Sequence, residues 1–149
     1  DPLTTGDSSL SVCIQSIVAA ELGDCDKACR YFADACVMDL GDVGGIVRDG
    51  LHVAALGGTW MALVYGFGGL RDHGGRLRFR PALPRGWQRL RFRLRVRGAL
   101  LEVDLGRERA KYRLLEGDAL EIEHEGAPVR LEAGSERLLA VRPVEHAAS

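Results

Sequence analysis

The sequence predicts an α+β chain, with helices over the first half and an antiparallel β-sandwich over the second. Three observations carry this. The apolar period changes from about 3.6 residues to 2, with the changeover between about residues 70 and 80. In the second half, every alternating run ends in a Gly or Pro turn signal, at spacings of about 8 to 12 residues. Charge is partitioned along the 149 residues: residues 1–70 hold nine acidic against three basic side chains, residues 71–97 hold ten arginines against Asp72 alone, and the remainder holds eleven acids against seven bases.

The first helix is expected after the hydroxyl-rich "TTGDSSLS" at 4–11. Leu10, Cys13, Ile14, Ile17, Val18 and Leu22 follow helical spacing, and Gly23 ends the run as a C-terminal glycine does. Asp24 or Asp26 can cap a second helix, whose apolar stripe is Ala28, Phe32, Ala35 and Cys36. "GDVGG" at 41–45 reads as a loop. A third helix is expected from about Gly50–His52 through Val64. Gly57 and Gly58 within it cost about 1 kcal/mol each relative to Ala, so the backbone there is expected to approach something closely. "RFRPALPRGW" at 78–87 reads as a connector. Strands are then expected in "RLRFRLRVRG", "ALLEVDLG", "KYRLLEG", "ALEIEHEG", "PVRLEAG" and "RLLAVRP".

Apolar residues are 46% of the chain, enough for a core. No run reaches the roughly 18 to 20 apolar residues of a membrane span. The start "DPLTTGD" has neither a basic region nor an apolar signal core. The chain opens on Asp1 rather than Met, as a processed or cut piece would. Four cysteines, Cys13, Cys25, Cys29 and Cys36, cluster in the first quarter. A secreted disulfide scaffold would spread them, so reduced thiols in a cytoplasmic protein are the reading. They lack a paired spacing and a neighbouring His, so no metal site is expected.

In the arginine ladder at 89–97, Leu90, Phe92, Leu94 and Val96 alternate with arginines. Ten arginines in one segment invite a nucleic-acid reading. No aromatic residue interleaves on the arginine face, so no stacking platform is visible. The acids needed for cross-strand pairing follow: Glu102 and Asp104, then Glu121, Glu123 and Glu125. A solvated, charge-paired sheet is therefore expected, with no nucleic-acid partner.

Asp7, Ser8, Ser9 and Ser11 offer more oxygens than one cap uses. The free N–H groups of a helix start favour an anion, and hydroxyls add donors. "DGLHVAALGGTW" at 49–60 sets His52 at a second helix start, where its ring N–H can bond a phosphate oxygen. Ordinary capping explains the same residues, and on chemistry alone both readings stand.

"LTTGDSSLS", "DGLHVAALGGTW", "GFGGLR" and "LRFRPALPRGWQRLRFRLRVRG" occur in this order and at these separations. Together they resemble the C-terminal part of glycoside hydrolase family 65, which includes maltose, trehalose, kojibiose and nigerose phosphorylases and some hydrolases. The match is by motif through about residue 97 and by strand pattern beyond it. The resemblance implies that residues 1–72 are the last helices of an (α/α)6 catalytic barrel and residues 73–149 a jelly-roll-like β domain. It implies an inverting reaction of an α-glucosyl disaccharide with phosphate, giving β-glucose 1-phosphate and glucose, with no cofactor. It places the phosphate site on Ser8, Ser9 and His52, with Gly58 and Thr59 lining the pocket. Gly6 stands where many members carry His, a departure that bears on the sugar substrate. No stretch matches the region of the catalytic Glu, so the general acid is expected upstream and the chain alone is expected to be inactive. The implied partners are disaccharide, phosphate and the rest of the barrel, with a homodimer in the complete enzyme and no membrane. The alternatives are a hydrolase of the same family and a non-catalytic carbohydrate-binding β module, for which Trp87 and Tyr112 are the available aromatics.

Overall fold

In a computed structural model of the chain, residues 9–37 and 53–142 are described. They fall into two compact units, one ending at Phe67 and the other beginning at Gly68.

The first unit is helical. Helix α1 spans Ser9–Glu21. It ends in a Schellman motif: Gly23 adopts φ 83°, its N–H donates to Ala20 O and the Asp24 N–H donates to Ala19 O. Helix α2 spans Cys25–Val37. Of the two caps the sequence offers, Asp24 is used: its carboxylate accepts from the Lys27 N–H at 3.0 Å. The buried Ser16 hydroxyl donates to Ala28 O at 2.9 Å and ties α1 to α2. Helix α3 spans Val53–Met61 and runs into a π-helical turn, Ala62–Phe67. Phe67 meets Phe32 of α2 edge to face at 5.6 Å.

The second unit is two four-stranded sheets. The strands are β1 Leu70–His73, β2 Arg76–Phe79, β3 Arg89–Val96, β4 Ala99–Gly106, β5 Arg109–Glu116, β6 Ala119–His124, β7 Ala127–Glu132 and β8 Glu136–Ala140. One sheet has the order β1-β2-β6-β7 and the other β3-β4-β5-β8. Strands β3 to β8 fall where the alternation predicts. Three features differ. The stretch expected as a connector from residue 78 contains part of β2, and the helix-to-strand change comes at 67–70, a few residues before the 72/73 boundary. The reason is a tight hairpin at Gly74–Gly75, both with positive φ, that lets β1 fold back on β2. The β2–β6 pair is parallel, whereas an all-antiparallel sandwich was expected. The chain reaches β6 only after building β3 to β5 of the other sheet, so β6 arrives in the same direction as β2. Two more tight hairpins, at Arg97–Gly98 and Glu125–Gly126, also use two consecutive positive φ values.

The sandwich core is Phe79, Leu101, Val103, Leu105, Tyr112, Leu114, Ile122 and Leu131, all fully buried. Phe79 of one sheet and Tyr112 of the other meet at 5.1 Å between centroids, their rings tilted by 51°.

The arginine ladder is charge-paired. Arg89 binds Asp104 with both ends of its fork, Nε to Oδ1 at 2.6 Å and Nη2 to Oδ2 at 2.5 Å. Arg91 and Arg93 share Glu102 Oε2, at 2.6 and 2.9 Å. Arg95 pairs with Glu116 and Arg97 with Asp72. Of Glu121, Glu123 and Glu125, Glu123 pairs with the basic segment, through Arg78 at 3.4 Å. Glu121 and Glu125 pair with Arg130 and Arg142 instead, because β6 belongs to the other sheet.

Candidate anion site

Helices α1 and α3 pack directly, and small residues set how closely. A Cβ built on Gly58 would stand 2.8 Å from Cys13 Sγ and 3.1 Å from Cys13 Cβ, with Leu10 Cδ2 at 3.6 Å. Further along, a Cβ on Gly66 would meet the Ile17 Cα at 3.6 Å and the Ala20 Cβ at 3.7 Å. The contacts advance together along both segments, from Cys13 against Gly58 to Ile17 and Ala20 against Gly66. The two helices are therefore parallel, and their N-terminal ends lie at the same end of the pair.

That geometry has an electrostatic consequence. The first four N–H groups of each helix have no acceptor within their own helix, and the dipoles place partial positive charge there. Two parallel helices bring two such ends to one side. Ser9 opens α1 and Val53, which follows His52 in sequence, opens α3. Ser8 and His52 lie outside the described residues.

Gly58 and Thr59 sit further along α3. Gly58 is buried against Cys13. The Thr59 hydroxyl donates to Ala55 O, one turn back, at 2.9 Å. It also lies beside the Cys13 thiol, whose Sγ is 3.9 Å from the same carbonyl oxygen. Burial pushes the Cys13 thiol above its ordinary range, more than the Thr59 hydroxyl lowers it. Burial pushes Cys25, Cys29 and Cys36 the same way. These thiols are protonated at neutral pH and are poor nucleophiles.

Cys13 is the residue the motif reading missed. The available signal was its place in the apolar run, facing a helix that carries two adjacent glycines. In the β unit, Tyr112 is fully buried and bonded to His124, so it cannot serve as a sugar platform. Trp87 is half-buried in the turn after Pro84.

Residues 1–61 match the glycosyl hydrolase family 65 central catalytic domain, and residues 70–131 match the family's C-terminal domain. An α,α-trehalose phosphorylase of Thermoanaerobacter brockii is 45% identical over 134 residues, 90% of this chain and 17% of that protein. A kojibiose phosphorylase of Halothermothrix orenii is 40% identical over 118 residues, 79% of this chain and 15% of that protein. A solved structure named "Putative kojibiose phosphorylase from human microbiome" superposes with a TM-score of 0.86 at 28% identity, over 97% of this chain and 21% of that one. The chain thus spans about a sixth of the length of the two phosphorylases. With helices matching the end of the catalytic domain and strands matching the domain after it, the chain belongs to glycosyl hydrolase family 65 as its C-terminal portion.

Proposed function

We propose that this chain is the C-terminal part of an inverting disaccharide phosphorylase and supplies the phosphate half of its active site. The carrying observation is the parallel packing of α1 and α3, which sets two helix starts side by side in a chain similar to trehalose and kojibiose phosphorylases. Ser8 and Ser9 donate their hydroxyls, and His52 a ring N–H, to the oxygens of one phosphate. Gly58 and Thr59 form the wall behind these donors. The helices through Phe67 complete an (α/α)6 barrel, and the strands from Leu70 form the β domain that follows it in sequence.

The substrate is an α-linked glucosyl disaccharide. A Glu from the upstream part of the barrel protonates the glycosidic oxygen as its bond to C1 breaks. A phosphate oxygen attacks C1 from the opposite face, giving β-glucose 1-phosphate and free glucose. Phosphate takes the place of base-activated water, so no second carboxylate is required, and phosphate is a co-substrate rather than a cofactor. The chain without the barrel Glu is inactive, and the complete enzyme is a cytoplasmic homodimer.

The test is an assay of the complete enzyme on trehalose, kojibiose, maltose and nigerose, with and without phosphate. β-Glucose 1-phosphate should form from one of them only when phosphate is present. Glucose release at the same rate without phosphate would make it a hydrolase and end this reading. In the complete enzyme, His52→Ala should raise the phosphate KM roughly 10- to 150-fold, the cost of a lost charge-assisted bond. The disaccharide KM should barely change. A collapse of disaccharide binding with normal phosphate dependence would make the pocket a sugar site.

A further inference from the structure

We infer that Cys13 and Gly58 are a positioning pair for phosphate, their contact setting the separation of the starts of α1 and α3. The inference rests on the phosphate reading above and adds the residues that hold its donors in register.

The contact is closer than two ordinary side chains permit. A Cβ at Gly58 would come within 2.8 Å of Cys13 Sγ, a distance real Cβ atoms essentially never show. The neighbouring Gly57 is different: a Cβ there meets nothing within 4 Å. Of two adjacent glycines in one helix, only Gly58 is needed for close approach among the described residues. Cys13 fills the opposite side with a single short side chain, 1% exposed. Its Sγ lies 3.9 Å from Ala55 O, the same carbonyl that anchors the Thr59 hydroxyl. No long, rotatable side chain lies between Cys13 and Gly58 to absorb a change in spacing.

The contact also stands near both starts. Cys13 follows Ser9 by four residues and Gly58 follows Val53 by five, a rise of about 6 to 8 Å. Widening the contact therefore shifts one helix start relative to the other. Hydrogen bonds to phosphate tolerate only a few tenths of an ångström around about 2.9 Å. A misplacement of about 1 Å can cost on the order of 100-fold. Cys13 and Gly58 act through the donors, without touching phosphate.

The experiment uses the complete enzyme with inorganic phosphate as the varied substrate. Gly58→Ala should raise the phosphate KM by roughly 10- to 100-fold, leaving the disaccharide KM within about twofold. Gly57→Ala should leave both unchanged. Adding Cys13→Ala to Gly58→Ala removes the sulfur at 2.8 Å but keeps the Cβ at 3.1 Å, and should recover part of the phosphate affinity, a non-additivity expected of residues in contact. Cys13→Val crowds the same contact from α1 and should reproduce the Gly58→Ala defect. If Gly58→Ala does not accumulate as folded protein, Cys13→Val and the double variant decide. A normal phosphate KM in the crowded variants, an equal shift in Gly57→Ala, or no rescue by Cys13→Ala overturns the positioning role. His52→Ala run in parallel separates the two claims. If it leaves the phosphate KM unchanged, the phosphate reading itself has failed. If it raises the KM while the crowded variants do not, only the positioning role has failed.

Discussion

Tyr112 and His124 meet at 2.8 Å, hydroxyl to Nδ1, across the interior of the β-sandwich. The other ring nitrogen, Nε2, lies 2.8 Å from Ala140 O. A carbonyl only accepts, so Nε2 carries the proton and Nδ1 accepts from the tyrosine. Tyr112 is on β5 and His124 on β6, so the bond joins the two sheets, and the imidazole links back to the end of β8.

Tyr112→Phe should therefore destabilise the β unit by about 1 to 3 kcal/mol, since it leaves a buried acceptor unpaired. Burial also pushes the Tyr112 hydroxyl well above its ordinary range. The sign of the pH effect follows. In the unfolded chain this tyrosine ionises near pH 10, whereas the folded chain keeps it protonated. The folded state then binds the extra proton, so its stability is intact below about pH 10 and falls as pH rises above it. Denaturant melts of wild type and Tyr112→Phe from pH 8 to 11 should show a steeper alkaline loss in wild type. Equal slopes would place this tyrosine in water.

The acid side is governed by the ladder. The two hydrogen bonds from Arg89 hold the Asp104 carboxyl below the usual carboxylate range, against the opposing effect of burial. A depressed carboxylate stabilises above its unfolded value, near pH 4, and that stability is lost as pH falls toward the lower folded value. Asp104→Asn should flatten the acid limb of a Tm-against-pH curve between about pH 5 and 2. About 1 M salt, with a Debye length near 3 Å, should weaken the exposed Arg95–Glu116 pair more than Arg89–Asp104. An Asp104→Asn curve that overlays wild type would remove the ladder from the stability account.

Gly69 has no substitute. It adopts φ 63°, and a Cβ there would overlap the carbonyl carbon and oxygen of Arg80. The Arg80 N–H donates to Gly69 O at 3.1 Å. Gly69→Ala should cost about 3 kcal/mol or more, from strain and overlap together. Gly86→Ala, in open space, should be close to neutral. Chemical denaturation midpoints of the two variants measure the contrast, and similar midpoints would contradict the close approach.

The outer face of α1 should drive association. Leu10, Ile14, Val18 and Leu22 form a stripe at four-residue spacing, and they are 43%, 52%, 47% and 80% exposed. Leu56 and Trp60 on α3 are also exposed. Contiguous apolar patches of this kind mark interaction surfaces. The chain on its own should form oligomers in light scattering at micromolar concentration. Ile14→Lys with Val18→Glu should lower the apparent mass. A monodisperse monomer for the unaltered chain would count against it.

The strands were the most legible part of the sequence. Six of the eight follow from period two and their Gly or Pro stops, because a sheet with one buried face writes its alternation directly into the residues. Strands β1 and β2 were hidden because each has only four residues, too few for a period to show. The Gly74–Gly75 pair between "LRDH" and "RLRF" was the hairpin signal available. The parallel β2–β6 pair could not be read, since alternation fixes a face and says nothing of which strand lies alongside. That is also why Glu121 and Glu125 were paired with the wrong arginines. In the helical unit, period alone did not separate the buried Cys13 and Ala20 from the exposed Leu10, Ile14 and Val18, as the first helix is apolar on most of its surface. The glycine pair was read as a close approach, and the structure confines that approach, among the described residues, to Gly58.

The parallel seam between β2 and β6 bears on how the β unit is made. The hairpin β1–β2 leaves the ribosome before the rest of the β unit, yet the strand paired to it among the described residues is β6, and residues 80–118 intervene. The second sheet has a similar delay, since β3, β4 and β5 are contiguous but their neighbour β8 lies near the end. Neither sheet can close before the other is nearly complete. The β3–β4–β5 meander has only local pairings, but each sheet closes through a late strand, and such long-range closure makes for slow folding. During synthesis the β1–β2 hairpin precedes its neighbour β6, and Arg71, Arg76 and Arg78 give it the charged character that disfavours pairing with a wrong strand.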